Sequence, residues 1–75
     1  MGELPVLKRM SRTEKEQRAM QSELQAALQA MRANEAAFEE VQDPVCIEQL
    51  TYQHAALMCR CRALLRALRA AGADP

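Results

Sequence analysis

A chain of 75 residues holds one domain at most, and at this size a single core rarely supplies more than roughly 3–5 kcal/mol, so a staple or a partner is expected. Ten basic and ten acidic residues cancel, which excludes a global field that would draw in nucleic acid or an anionic membrane, and no run approaches the roughly 18 apolar residues of a membrane span. Aromatics reduce to Phe38 and Tyr52 and glycines to Gly2 and Gly72, while residues that cost least to place in a helix fill most of the rest, so the fold class is all-α.

Residues 1–12 form an N-terminal tail or a short amphipathic turn. Pro5 blocks a long helix there, and Leu4, Val6, Leu7 and Met10 lie among Lys8, Arg9 and Arg12. The segment also lacks the apolar stretch of a secretory signal, so the thiols are expected to be reduced and the protein cytoplasmic. Two overlapping capping-box spacings, Ser11 with Glu14 and Thr13 with Glu16, start a first helix over about residues 13–41. Along it Met20, Leu24, Ala27, Met31, Asn34, Phe38 and Val41 step by three and four, with Asn34 as the polar interruption.

The one strong internal break is Asp43-Pro44. Asp43 accepts from free amides of the next turn, Pro44 suits the first helical position, and a proline disfavours helical geometry in the residue before it. A second helix therefore runs over about residues 44–71, with a seam of Ile47, Leu50, His54, Leu57, Cys61, Leu64, Leu68 and Ala71. Gly72 and the arginines of the last turns end it, and 73–75 are a tail. Helices of equal length joined by so short a turn fold into an antiparallel two-helix hairpin over residues 13–72. With the turn centred near Gln42, Phe38 is expected opposite Ile47, Met31 opposite His54, Leu24 opposite Cys61, and Glu23 beside Arg60 or Arg62.

No constellation points to catalysis. Cys46, His54, Cys59 and Cys61 are zinc-ligand types, but residues two apart on a helix diverge by about 200°, and His54 lies roughly 10 Å along the axis from Cys61. No metal or cofactor is therefore expected, and no disulfide. Cys61 and His54 belong to the seam. Cys46 sits at a helix start without a resolving cysteine nearby. A two-helix hairpin also offers no concave pocket for a nucleophile, base and orienter.

Two surface patterns remain. Arg60, Arg62, Arg66 and Arg69 contain no acid among them, and Arg62, Arg66 and Arg69 share an outer face that would serve either as a phosphate strip or as a solvated helix end. The second is a stripe away from the seam, of Tyr52, Ala56, Cys59, Ala63 and Ala70 on the second helix and Ala19, Ala26, Ala30, Ala33 and Ala37 on the first. Alanine there is either a close-packing surface or simply a good helix former. Adding Leu28, Met58 and Leu65, which flank the seam, gives more apolar surface than one partner helix covers. The candidate interface is Leu28, Tyr52, Ala56, Met58, Cys59, Ala63 and Leu65.

The run Phe38-Glu39-Glu40-Val41-Gln42-Asp43-Pro44, followed by Ile47, Glu48, Tyr52, Ala56, Leu64-Leu65, Arg66, Arg69 and Gly72, resembles the YaaL-like family of short Firmicutes proteins. The likeness spans roughly residues 34–72. Where the family tends to carry aromatics, this chain has Cys61 and Ala63. The resemblance implies a short helical protein of spore-forming or related bacteria, with no assigned reaction, cofactor or catalytic residue. The expected function is a non-enzymatic interaction protein that pairs with itself, as a homodimeric four-helix bundle, or docks on a larger protein. The alternative is a small nucleic-acid-associated protein that uses Arg62, Arg66 and Arg69.

Overall fold

The computed structural model describes residues 11–72, and the expectations for residues 1–10 and for the 73–75 tail lie outside them. Two helices, α1 over Arg12–Glu40 and α2 over Pro44–Ala70, pack against each other as an all-α hairpin. Of the two capping boxes, the one at Ser11 is used. Its backbone is extended and its Oγ accepts from the Glu14 amide at 3.1 Å, which satisfies one of the free donors at the helix start. Glu14 adds negative charge beside the positive end of the dipole. Helix α1 thus begins one residue before the expected start at residue 13 and ends one residue before the expected end at 41, with Val41 extended as its C-cap.

The turn is made by Asp43-Pro44 as the residue types dictate. Asp43 is held extended ahead of Pro44, its Oδ1 accepts from the Val45 amide at 2.9 Å, and its carbonyl accepts from the Ile47 amide at 2.9 Å. At the far end Ala71 is the C-cap of α2, and Gly72 takes a φ of +80°, which places its amide 3.0 Å from the Arg69 carbonyl. A Cβ on Gly72 would meet nothing within 4 Å, so glycine is required there by backbone conformation alone.

Leu24 and Ala27 of α1 and Cys61, Leu64 and Leu68 of α2 form the buried core, with Met20, Leu28, Met31 and Leu65 packed around it. This core occupies the half of the hairpin away from the turn. The Gln17 side-chain amide fastens the open end by donating to the Ala71 carbonyl at 2.7 Å, one of the acceptors α2 cannot satisfy internally.

Leu24 and Cys61 share the core as the register predicts, and Glu23 pairs with Arg60 rather than Arg62, at 3.3 Å. Met31, level with His54 in this register, reaches further than its level. Its Sδ lies 3.6 Å from Cys61 Sγ, one heptad beyond His54. Side chains lean toward their own helix N-terminus, so in an antiparallel pair Met31 leans away from the turn and Cys61 toward it. Ile47, placed in the seam by its spacing, is 37% exposed beside the turn.

Candidate interaction surfaces

The hairpin has two broad faces, and at about 100° per residue the side chains sort between them unambiguously. One face carries the Glu23–Arg60 pair, whose side chains are both more than half exposed. Nearer the turn, this face opens into a groove of about 530 Å³ lined by Ala30, Ala33, Asn34 and Ala37 of α1 and by Leu50, Gln53, Ala56 and Leu57 of α2. Ala30, Ala33 and Ala37 give the α1 wall little side-chain volume, and the helices leave a trough there. Asn34 forms part of its floor. The residue is only 5% exposed, its Nδ2 donates to the Leu50 carbonyl at 3.0 Å, and its Oδ1 has no hydrogen-bond partner.

The opposite face carries Leu28 of α1 and Met58 and Leu65 of α2, all half-buried, with the exposed flank of Ile47 toward the turn. A shallow crevice of about 270 Å³ there is bordered by Leu65, Arg62, Arg66 and Arg69. The three arginines of the phosphate-strip alternative therefore do gather around one depression, and Leu65 lies among them.

The candidate interface set does not form one patch. Leu28, Met58 and Leu65 share the face just described. Tyr52, Cys59 and Ala63 form a separate stripe along the back of α2, and Ala56 lies at the edge of that stripe and lines the groove on the other side. Tyr52 is 68% exposed and donates to Glu48 Oε1 at 3.3 Å, a local tie within its own helix. The groove itself was not read from the sequence. Its signal in the sequence is Asn34 in the α1 seam together with Ala30 and Ala56 at nearly the same level of the hairpin, residues that belong to different helices.

The sulfur and imidazole groups are dispersed. Cys46 and Cys59 are exposed, Cys61 is buried, all three are free thiols, and His54 is half-buried. Among the described residues no group of three or more His, Cys, Asp or Glu side chains lies close enough to hold a metal ion. Among the same residues, no helix is long and apolar enough to cross a membrane. No protein-family model, no curated protein and no solved structure matches the chain.

Proposed function

We propose that this chain is a non-enzymatic cytoplasmic interaction module whose hairpin packs against a second copy of itself, with docking on a larger protein as the alternative use of the same surface. The observation that carries the proposal is the face of Leu28, Met58 and Leu65, which stays partly wet beside a core of five buried apolar residues. Completing the burial of a Leu or Met side chain is worth up to about 1.5–3 kcal/mol, and a two-fold contact gains this on both copies. For a hairpin this small, such a gain is comparable to its whole stability. The groove face offers less, because alanine has little surface to bury.

The resemblance of residues 34–72 to the YaaL-like family is consistent with this reading, since the helix-starting Asp43-Pro44 turn and the register after it are also what make the hairpin. Sedimentation equilibrium tests the proposal. Self-association with the Leu65→Glu variant shifted toward the 8.4 kDa monomer is the expected result. A parent chain that stays monomeric, with unfolding independent of concentration, would remove the dimer and leave docking on another protein.

A second reading, binding of nucleic-acid phosphates, is favoured by one observation, the crevice that Arg62, Arg66 and Arg69 border. It is the weaker reading because Leu65, not an aromatic, lies between the guanidiniums. Fluorescence anisotropy with a labelled duplex at low salt separates the two, since phosphate contacts must weaken steeply as salt rises.

A further inference from the structure

Resting on the reading of the Leu28, Met58 and Leu65 face as an interface, we propose that its open half takes an acidic amphipathic helix of a partner protein, which competes with the second copy for that face. The sequence carries a pattern there that packing within the hairpin does not explain. Leu28, Met58 and Leu65 are each followed four residues later by an arginine, Arg32, Arg62 and Arg69, so each apolar side chain has a guanidinium one turn beyond it on the same face. Side chains lean toward their own helix N-terminus, and arginine lays its stem over apolar neighbours, which carries each charge back beside the Leu or Met before it. Arg66 completes the border of the crevice at Leu65. All four arginines are exposed. Among the described residues the ion pairs are Arg12–Glu16 and Glu23–Arg60, so Arg32, Arg62, Arg66 and Arg69 pair with no carboxylate there.

The chemistry of the occupant follows from an apolar centre with a basic border. Half-buried Leu and Met side chains gain from apolar contact, and unpaired guanidiniums beside them gain from carboxylates, which can accept from both arms of an arginine. A nucleic-acid backbone meets only the second need, because phosphates and sugars leave Leu28, Met58 and Leu65 wet. A flat anionic bilayer would have to lie against Glu35 and Glu39, seven and eleven residues after Leu28 and so on the same face toward the turn. A second copy covers the apolar side chains, but in a closed two-fold contact it presents this same arginine-bearing face. A helix with apolar residues at i, i+3 or i+4 and i+7, and with Asp or Glu on both flanks, meets both needs. Met58 and Arg69 are eleven residues apart on α2, roughly 17 Å, so a helix of about 12–14 residues covers the site without reaching the acids by the turn.

Selection from a displayed library of helical peptides tests this on the full chain, with the apolar stripe of the peptide fixed and its flanking positions randomised. Enrichment of Asp and Glu at the flanks is the expected result, and binders with neutral or basic flanks, or no binders, overturn the proposal. The selected peptide should lose at least about tenfold in affinity for Arg62→Glu with Arg69→Glu, and its counterpart with lysines in place of the acids should bind that variant better than it binds the parent chain. Unchanged affinity overturns the role of the arginines. If circular dichroism shows that the reversed chain is not helical, Arg62→Gln with Arg69→Gln carries the same test, with a loss of several-fold expected. Sedimentation with and without peptide keeps the two readings apart. A chain that is monomeric alone and binds the peptide removes the second copy and keeps the partner helix, whereas a dimer that saturating peptide does not dissociate keeps the second copy and removes the partner helix. A labelled duplex, or vesicles of anionic lipid, bound more tightly at physiological salt than any selected peptide would assign the arginines to phosphates and overturn the proposal.

Discussion

Asn34 is the residue at which the packing changes character. It holds a seam position, is almost fully buried, and spends its amide N–H on a carbonyl that already belongs to the α2 hydrogen-bond ladder. Its Oδ1 gains nothing in return, and a buried acceptor without a donor costs about 1–3 kcal/mol. What the residue contributes is register, because its amide reaches α2 at one carbonyl and a slipped pairing would lose that bond. Asn34→Leu removes the orphaned oxygen, loses one hydrogen bond of about 1 kcal/mol, and buries apolar surface of similar volume. The variant should therefore unfold at higher urea, by about 1 kcal/mol or more in stability. A lower midpoint would mean that the Leu50 contact outweighs the desolvated carbonyl.

At the scale of the element, the turn does most to define the hairpin. Asp43 caps α2 through its side chain while Pro44 holds the first helical position, so Asp43→Ala should cost about 1 kcal/mol and leave the turn in place, because Pro44 remains. Equilibrium denaturation measures that loss. A splayed or continuous helix in the variant would show instead that Asp43 makes the turn and not only the cap. This turn was legible in the sequence because it depends on local chemistry, as do the Ser11 cap and the left-handed Gly72. The helix-to-helix seam was legible as a period, and it placed Leu24, Cys61, Leu64 and Leu68 in the core. Spacing could not say that Met31 meets Cys61 or that Ile47 stays wet, since both depend on side-chain lean and on how closely the helices approach at each level. It also could not separate the back stripe of Tyr52 and Cys59 from the flank of Leu28, Met58 and Leu65. A wheel drawn for one helix does not show where its neighbour's surface ends.

Across the whole molecule, packing quality runs opposite to covalent constraint. The turn ties the helices together where they pack least, with a groove floored by Asn34 and lined by alanines, and with Val45 and Ile47 exposed. The open half has no covalent link, yet it holds the five-residue core, the Met31–Cys61 contact, the Glu23–Arg60 pair and the Gln17 clasp on Ala71. Local opening costs in proportion to the contacts it breaks, so a segment that breaks few apolar contacts exchanges its amides sooner. Amide hydrogen exchange followed by NMR should therefore find the slowest amides around Leu24–Leu28 and Cys61–Leu65, and faster exchange across Ala33–Ala37 and Ile47–Gln53. Tethering alone predicts the reverse order, because chain ends fray and a short loop closes cheaply. Slowest exchange beside the turn would show that the covalent link, not the buried cluster, sets the hierarchy. Leu68→Ala sharpens the comparison, since Leu68 is fully buried and its truncation should cost about 2–5 kcal/mol. If the cluster sets the hierarchy, that substitution should collapse the difference in exchange rate between the two halves, because the open half would lose the contacts that now make its opening expensive.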